Sequence, residues 1–438
     1  MVKKEPIWKN YFRNKKITML GLGVLGRGIG VADFLARHGA RLLVTDLKDK
    51  NALTPALKKL KLHRNIRYVL GKHRLEDFRN CDMVIKAAGV PLDSPYIALA
   101  KHRKIPVEMD TSLFLKLAPK INFIGVTGTR GKTTTTFLIH EILKKARKHV
   151  FLAGNIKGIA TLPLLEGVRA GDYVVAELDS WQLQGFGDAK ISPPVAVFTT
   201  FLPDHLNYYR GRMSRYFKDK ANIFRYQKKG NFFIAGSGLG KYLPKKPKAK
   251  LVIARSSNVP RGWKIKIPGE HNKLNVACAL AAARALGIPD RSIKSAVERF
   301  RGVPGRLELV REWHGVKFYN DTTATTPDAT IAALKALSRK RNVVLIVGGA
   351  DKKLDIVKIS PAFKKYCKSV VLLPGSGTDR LKIKAPIVGS MDKAVKLAAA
   401  QAKKGDIVLL SPGFASFGLF KNEYDRGDQF SSLVKKLK

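Results

Sequence analysis

The sequence predicts an α/β protein built from three consecutive domains, each with a parallel sheet. Short apolar runs alternate with segments of helical periodicity from near residue 16 almost to the end, a pattern typical of strand–helix–strand units. The chain has 438 residues, which suits two or three domains of ordinary size. Two of the apolar runs end in glycine-rich turns that precede a helix, the usual position of a phosphate site in this fold class.

The predicted strands fall into three groups, which define the domains. The first group contains "ITMLG", "RLLVTD" and "DMVIKAAG", and the second contains "NFIGVTG", "DYVVAEL" and "VAVFTT". The third contains "VVLIVGG", "SVVLLPG" and "DIVLLSPG". We therefore predict a Rossmann-like domain at 1–112, a central P-loop domain at 113–303 and a second Rossmann-like domain at 304–438.

The charge balance is strongly basic. Lys and Arg number 82 and Asp and Glu 33, so the formal net charge is +49. Such a field attracts polyanions. The basic residues are nevertheless spread over the whole chain, without a basic tail or interleaved aromatic residues. This distribution favours a generally basic surface over a specific nucleic-acid module.

The cysteines and apolar segments indicate a cytoplasmic protein. Cys81, Cys278 and Cys367 are few, odd in number and far apart, which argues against a disulfide framework or a zinc site. The first residues are charged and lack the apolar core of a secretory signal. No apolar run approaches the roughly 18 residues of a membrane span.

The sharpest motif is "GVTGTRGKTTTT" at residues 125–136, where a strand ends in a glycine turn and a helix begins. Glycines allow backbone N–H groups to surround phosphate oxygens, a lysine reaches the β- and γ-phosphates, and the next hydroxyl binds Mg²⁺. Val126 stands where the usual motif has its first glycine. A strand before the turn and a helix after it nevertheless make a chance Gly-Lys-Thr turn the poorer explanation. The predicted ATP contacts are Gly128, Thr129, Arg130, Gly131, Lys132, Thr133 and Thr134.

A second glycine turn follows the first predicted strand. Gly21, Gly23 and Gly26 form G-x-G-x-x-G, and Asp46 ends the next strand. This spacing is typical of a dinucleotide site, but the same geometry holds any diphosphate, including that of UDP. A helix–strand packing turn without a ligand is the third alternative.

Acidic and histidine residues lie at the ends of two central strands. Glu177 ends "DYVVAEL", and Asp204 and His205 follow "VAVFTT". Parallel strands place such residues at the edge that carries the phosphate loop, where carboxylate and imidazole ligands suit Mg²⁺. The polar segments "GEHNKLNVACA" and "YNDTTATTPDAT" read from composition alone as helix caps.

In their order along the chain, these segments resemble the Mur ligase family over nearly the whole length. The resemblance rests on "TGTRGKTTTT", "ELDSWQLQ", "LPDHLNYY", "GEHNKLNVACALAAA", "GVPGRLELV", "YNDTTATT" and the ending "LLSPGFASFGLFKNEYDRGDQF", which is similar to the branch that adds D-glutamate. It implies a monomeric, cytoplasmic ATP-dependent ligase that joins glutamate to UDP-N-acetylmuramoyl-L-alanine in peptidoglycan synthesis. It also implies UDP binding by the first domain, ATP by the second and glutamate by the third, with Mg²⁺, as two ions, as cofactor.

The resemblance also assigns roles to single residues. It adds Asn275, Arg306 and Asp321 to the ATP contacts, and implies that Lys220 is carbamylated to support a metal. The implied catalytic residues are Lys132, His205, Lys220 and Asp321, with His205 and Asp321 both open as acceptors of the amine proton. The implied metal ligands are Thr133, Glu177, His205 and Lys220; the UDP-substrate contacts are Gly21, Gly23, Gly26, Asp46, Lys48 and Asn155; the glutamate contacts are Lys352, Ser416 and Phe417.

Three positions depart from the family pattern. Thr323 stands where D-glutamate ligases usually have Lys, Glu423 stands for a Phe that closes over the amino acid, and Asp179 stands where Ser is common. The first two leave L-glutamate open as the acceptor.

Two other classes of protein are alternatives to the ligase. A nicotinamide oxidoreductase would leave the phosphate loop unexplained, and a basic nucleic-acid-binding P-loop ATPase would leave the C-terminal segment unexplained.

Overall fold

The computed structural model describes residues 7–24, 26–91, 93–205, 208–351, 354–416 and 418–437. The chain forms two compact units: residues 1–260 with 274–296, and residues 261–273 with 297–438. The first unit contains two sheets and the second contains one. Over the described ranges, no helix has both the length and the apolar character needed to span a bilayer.

The first sheet has five strands in the order β3-β2-β1-β4-β5, all parallel. Because β1 has β2 on one side and β4 on the other, the turn after β1 lies at the point where the strand order reverses, the preferred ligand position of such sheets. The elements are α1 (Trp8–Tyr11), β1 (Lys16–Leu20), α2 (Arg27–Arg37), β2 (Arg41–Asp46), α3 (Lys50–Leu60), β3 (Ile66–Leu70), a 3₁₀ turn (Leu75–Phe78), β4 (Met83–Lys86), α4 (Pro95–His102), β5 (Val107–Glu108) and α5 (Asp110–Leu117).

The central sheet has six parallel strands in the order β11-β10-β9-β6-β8-β7. Its strand order reverses at β6, the strand that leads into the phosphate loop. The elements are β6 (Asn122–Thr127), α6 (Lys132–Lys145), β7 (Val150–Gly154), a 3₁₀ turn (Leu162–Glu166), β8 (Tyr173–Glu177), α7 (Gln182–Asp188), β9 (Val195–Phe198), α8 (Met213–Lys220), α9 (Asn222–Arg225), β10 (Phe232–Gly236), 3₁₀ turns (Ser237–Tyr242 and Ser256–Asn258), β11 (Lys250–Ala254), α10 (Glu270–Ala285) and α11 (Asp290–Arg299).

The sheet of the second unit has the order β12-β13-β16-β14-β15, with only the β12–β13 pair antiparallel among its described pairs. Its interior strand β14 is buried along its whole length. The elements are β12 (Glu308–Trp313), β13 (Val316–Asn320), α12 (Pro327–Leu337), β14 (Val343–Gly348), α13 (Ile359–Tyr366), β15 (Cys367–Leu373), α14 (Ser376–Asp379), α15 (Met391–Gln401), β16 (Ile407–Leu410) and α16 (Glu423–Lys435). The predicted fold class, α/β with three predominantly parallel sheets, is confirmed.

Candidate active site

The phosphate loop joins β6 to α6, as the sequence predicts. Lys132 is the first residue of α6, and its Nζ donates to the backbone oxygens of Gly128 at 3.1 Å and Thr129 at 3.2 Å. The ammonium therefore folds back over the loop. A γ-phosphate at the helix N-terminus would meet this ammonium together with the N–H groups of the first turn.

Two glycines are required by the shape of this loop. Gly128 has φ 147°, and a Cβ there would lie 2.1 Å from Thr199 Oγ1. Gly131 has φ 85°, and a Cβ there would lie 2.2 Å from Asn275 Oδ1. Both positions combine a positive φ with a close approach in which a Cβ would force the neighbouring side chain to move. The close approach also places Asn275, a predicted ATP contact, beside the loop.

The loop is tied to the end of β9 by hydroxyl groups. Thr199 Oγ1 donates to the Arg130 carbonyl at 2.6 Å, and the Arg130 N–H donates to Thr200 Oγ1 at 2.9 Å. The Thr129 N–H donates to the Thr200 carbonyl at 2.7 Å. These bonds hold the loop in its phosphate-binding shape before any ligand arrives.

Lys220 lies at the end of α8 and is buried beneath the loop. Its Nζ donates to the Gly128 carbonyl at 2.8 Å and to Thr127 Oγ1 at 3.3 Å. Burial, reinforced by the charge of Lys132, lowers the pKa of Lys220 well below its usual value. Glu177 ends β8 close by, and its Oε2 is buried without a hydrogen-bond partner. Two of the four metal ligands that the resemblance implies thus lie together at the carboxyl edge of the central sheet.

Asp204 and His205 lie beside the loop with Arg130. Arg130 Nη1 is 3.0 Å from Asp204 Oδ2. Burial raises the pKa of the Asp204 carboxyl, but His205 and Arg130 outweigh it and hold that pKa below its usual value. Partial burial lowers the pKa of His205; Asp204 opposes this shift, and Lys132 and Lys220 reinforce it. A neutral imidazole is the form that binds a metal or accepts a proton.

Tyr216 belongs to this site although the sequence reasoning did not find it. Its hydroxyl lies 3.3 Å from Thr129 Oγ1, and its ring centroid is 5.0 Å from Lys220 Nζ and 6.2 Å from the His205 ring centroid. The available signal was its position four residues before Lys220, since residues at that spacing share one helix face. Tyr216 is buried and holds the loop, the lysine and the histidine together.

Asp46 organises the first glycine turn. Its Oδ2 accepts the N–H groups of Leu22 at 2.8 Å and Gly23 at 2.9 Å, and its Oδ1 accepts the Lys48 N–H at 2.8 Å. In a dinucleotide site, the acidic residue at this position binds the ribose hydroxyls. Here both carboxylate oxygens hold backbone amides, and the turn residues Gly21, Gly23 and Gly26 all have positive φ. Direct contact of Asp46 and Lys48 with the substrate stays a prediction.

The helix after this turn packs against the central domain. Arg27 Nη2 donates to Asn155 Oδ1 at 2.7 Å, and a Cβ on Gly30 would lie 2.8 Å from Ala160 Cβ. Arg37 and His38, at the other end of α2, both pair with Glu166. Asn155, the predicted muramoyl contact, therefore lies next to the N-terminus of α2 and the glycine turn.

The second unit contains a buried polar centre around Asp321. Ser411 Oγ donates to Asp321 Oδ2 at 2.9 Å, and the Leu307 N–H donates to Asp321 Oδ1 at 3.1 Å. Burial raises the pKa of Asp321 to about 7, although both hydrogen bonds and the nearby Arg306 oppose this shift. Arg306 itself is exposed.

We predict that Asp321 makes stability depend on pH. Its pKa in the fold lies above the unfolded value of about 4, so its contribution is fully present below pH 4 and is lost as the pH rises through about 7. Across that window, Asp321→Asn should gain stability relative to the parent by up to about 1.4 kcal/mol per pH unit. Urea unfolding at pH 5 and pH 8 tests this, and parallel pH profiles for the two proteins would contradict it.

Arg426 fixes the C-terminal segment near this centre. It is buried, and its Nε and Nη2 donate to Thr322 Oγ1 at 3.1 Å and to the Thr322 carbonyl at 2.8 Å. Burial lowers its pKa to about 10, and Glu423 opposes the shift. Ser416, a predicted glutamate contact, is buried in the segment before α16. Lys352 and Phe417, the other two, lie outside the described residues, and their roles stay predictions.

The structure accounts for two of the three departures. Asp179 Oδ1 accepts the N–H of Gln182, the first residue of α7, at 2.7 Å, a bond that a serine hydroxyl can also accept. Glu423 is the first residue of α16, where a carboxylate is stabilised by the helix dipole. Thr323 donates its hydroxyl to the Gly305 carbonyl at 3.0 Å, and nothing in the structure explains the loss of a lysine there.

These features match known families along the chain. Residues 15–108 match the MurD-like N-terminal domain of Mur ligases, residues 126–254 the Mur ligase middle domain, and residues 305–414 the Mur ligase glutamate ligase domain. A curated relative from Roseiflexus sp. (strain RS-1), UDP-N-acetylmuramoylalanine–D-glutamate ligase, is 37% identical over 96% of this chain and 98% of its own length. The chain belongs to the Mur ligase family.

Further relatives and solved structures agree with this assignment. The enzymes of the same name from Borreliella afzelii (strain PKo) and Clostridioides difficile (strain 630) are 35% and 34% identical, each over 97% of this chain and 98% and 99% of their own lengths. The solved UDP-N-acetylmuramate-alanine ligase MurC of Thermotoga maritima superposes with a TM-score of 0.62 at 22% identity, covering 97% of this chain and all of that one. The MurF ligase of Thermotoga maritima in complex with ADP superposes with 0.60 at 18% identity, covering 98% and 97%. The two structures share the Mur ligase fold with this chain.

Proposed function

We propose that this chain is an ATP-dependent ligase that adds D-glutamate to UDP-N-acetylmuramoyl-L-alanine in the synthesis of peptidoglycan precursors. The main support is its 34–37% identity, over nearly the full length, to relatives that are named for this activity. The phosphate loop with Lys132, Glu177, His205 and Lys220 at one sheet edge supports the assignment. The substrates are small soluble molecules, so we also propose that the enzyme acts in the cytoplasm, as a monomer.

The reaction has two steps. The terminal carboxylate of the UDP substrate attacks the γ-phosphorus of ATP, the bond to ADP breaks, and an acyl phosphate forms. Lys132, the loop amides and the α6 N-terminus stabilise the charge that develops on the transferred phosphoryl group and on ADP. The structure holds these donors in place before reaction, which is the main protein contribution to such a transfer.

In the second step, the glutamate amine attacks the acyl carbon, a C–N bond forms, and inorganic phosphate leaves with the C–O electron pair. The amine must lose a proton. His205 and Asp321 are the two candidate acceptors: the environment of His205 favours the neutral imidazole, and the carboxyl of Asp321 titrates near neutral pH. No protein nucleophile is required.

The donor set fits Mg²⁺. Among the described residues, no group of three or more His, Cys, Asp and Glu side chains is placed to hold a metal. Mg²⁺ is, however, commonly held by one or two carboxylates together with nucleotide phosphates. Glu177, with an unpartnered buried oxygen, Thr133 and His205 would supply protein ligands. The ion, when bound, neutralises phosphate charge.

Lys220 fits a further role at this position. Its amine is buried with two oxygen partners and lies near the Lys132 cation, without an acidic partner in direct contact in the described surroundings. We propose that it reacts with CO₂ to form a carbamate, releasing a proton. The product carries two oxygens and a negative charge, which is the type of ligand that Mg²⁺ prefers.

The function is tested by a ligation assay with purified protein, ATP, Mg²⁺ and UDP-N-acetylmuramoyl-L-alanine. D-Glutamate, L-glutamate and D-aspartate are offered in parallel. We expect phosphate release and product only with D-glutamate and only when the UDP substrate is present. Preference for L-glutamate would refute the stereochemistry, and ATP hydrolysis stimulated by nucleic acid alone would refute the ligase.

We predict that the first sheet binds the UDP substrate and not NAD. The reason is that Asp46 Oδ2 accepts the N–H groups of Leu22 and Gly23 and Oδ1 accepts that of Lys48, so the carboxylate that a dinucleotide site uses for the adenosine ribose is already engaged by the backbone. Isothermal titration calorimetry should detect UDP-N-acetylmuramoyl-L-alanine and no heat with NAD. Gly23→Ala is the companion variant: its φ of 66° is strained for alanine, and it should weaken UDP-substrate binding without affecting ATP binding. Tight NAD binding would overturn the assignment.

A further inference from the structure

The amino edge of the central sheet has a row of cations. All six strands are parallel, so the connections that enter them meet at one edge, opposite the phosphate loop. Adjacent strands lie about 4.8 Å apart, so this edge is roughly 24 Å wide. Each connection carries at least one exposed cation. We select eight exposed cations at this edge, including the first residue of β11, and call them the amino-edge cations: Lys120, Lys148, Arg169, Lys190, Lys228, Lys229, Lys248 and Lys250.

Strand pairing brings the densest part of this row together. Lys228 and Lys229 lie in the turn before β10, where the Lys228 N–H donates to Asn231 Oδ1 at 2.9 Å. The Lys250 N–H donates to the Asn231 carbonyl at 2.9 Å, and Lys250 is in register with Phe232. Lys228, Lys229, Lys248 and Lys250 therefore surround one turn at the β10–β11 end of the edge.

Acidic side chains hardly offset these charges. Between Lys220 and Pro260 the sequence has nine Lys and Arg and no Asp or Glu. In the six entering connections, all of which are described, Asp172 is the single acid, and it is engaged by the Arg169 N–H and by His149. The chain as a whole has 33 acids in 438 residues, so the edge is more one-sided than its general basicity requires.

Protection of an edge strand explains only part of this pattern. Lysines at β11, the last strand of the sheet, discourage pairing with other chains. The same reason does not apply to Lys120 and Lys190, which precede the interior strands β6 and β9. A function of the whole edge accounts for all of them.

The chemistry of the row favours lipid headgroups over nucleic acid. Seven of the eight cations are lysines, which act as point charges, whereas nucleic-acid readers favour arginine forks and aromatic rings for stacking. In the six connections the aromatic side chains are His149, already paired with Asp172, and Tyr226, which is half-buried. A broad row of exposed lysines matches the anionic surface of a bilayer, which attracts each nearby cation.

We propose that the amino edge of the central sheet docks on an anionic lipid bilayer through the amino-edge cations. In this orientation the opposite edge, with the phosphate loop and Lys220, stays open to soluble substrates. The association is electrostatic, so it weakens as salt screens the charges. It requires neither a lipid anchor nor a membrane-spanning segment.

The test is co-sedimentation of the full chain with vesicles of phosphatidylglycerol and phosphatidylcholine, and with vesicles of phosphatidylcholine alone. The amino-edge variant changes Lys228, Lys229, Lys248 and Lys250 to Glu, which keeps a charged, protected edge strand but reverses its sign. The matched variant changes the exposed residues Lys50, Lys58, Lys59 and Lys61 to Glu and has the same net charge. We expect the parent to bind only anionic vesicles at low salt, the amino-edge variant to bind at least about tenfold more weakly, and the matched variant to stay within about threefold of the parent.

Ligation activity in solution should be unchanged in both variants, since neither set lies in the site. If the Glu variant does not fold, the same four lysines changed to Gln give the test in a milder form. Equal weakening by both variants would show that total charge alone acts and would overturn the proposal. So would a parent that ignores anionic vesicles, or one that at the same salt binds duplex DNA more tightly than vesicles.

Discussion

Lys132→Ala is expected to reduce ligation by at least about a hundredfold and to leave the fold intact. In the structure, the ammonium folds over the loop onto the carbonyls of Gly128 and Thr129, where the transferred phosphoryl group would lie. Removing it deletes a charge-assisted contact that strengthens as charge develops in the transition state. Single-turnover phosphate release with saturating substrates measures the loss at the chemical step.

The matched control is Lys144→Ala, an exposed lysine in the last turn of the same helix α6. It changes the net charge equally but lies away from the loop, so its activity should match that of the parent. If Lys132→Ala retains activity within a few fold of the parent, Lys132 does not contact the γ-phosphate and the loop must bind ATP in another way.

Lys220→Ala is expected to be nearly inactive and to recover partly when acetate or formate is added. The reason is the proposed carbamate: alanine removes its two oxygens and leaves a space in which a small carboxylate supplies them again. Lys220→Met fills the space, so it should be equally inactive and resist rescue. Lys218→Ala, an exposed lysine on the same helix α8, is the control and should remain active.

The carbamate on Lys220 can also be detected directly, in parallel with these assays. With ¹³C-labelled bicarbonate, the parent should show a carbamate carbon signal that is absent from Lys220→Met. Full activity of Lys220→Met would remove any role for the side chain. An inactive Lys220→Met together with a parent that lacks the carbamate signal would leave Lys220 as a positioning residue that holds the Gly128 carbonyl.

Much of the fold was predictable from local patterns. "RLLVTD", "NFIGVTG" and "VVLIVGG" correspond to β2, β6 and β14 to within a residue or so, because buried parallel strands are apolar runs between turns. The missed strands include β3, β10 and β11. Two of these, β3 and β11, are edge strands, and their shorter or mixed apolar runs resemble those of loops; β10 follows directly on α9 and a lysine turn.

The candidate site, too, was predictable from the sequence only in part. The phosphate loop could be predicted because all of its residues are consecutive and its glycines are required by the local shape of the loop. Glu177 and His205 were predicted from their positions at strand ends, whereas Lys220 came only from the resemblance, since its segment meets the other two only in the folded chain. Tyr216 and the threonines after β9 stayed hidden because their role consists of contacts with the loop that no spacing reveals.

By itself, then, the sequence determined the α/β class, the phosphate loop, the glycine turn and the family, since each depends on neighbouring residues or on their order. Only the tertiary structure decided what Asp46 does, where Lys220 lies and which edge collects the lysines. Asp46 fits a ribose contact by its spacing, yet the fold places backbone N–H groups against both of its oxygens. Leaving a buried backbone N–H without an acceptor costs more free energy than a carboxylate–ribose hydrogen bond contributes, since that bond forms only when ligand is present. The carboxylate therefore binds the N–H groups of the turn.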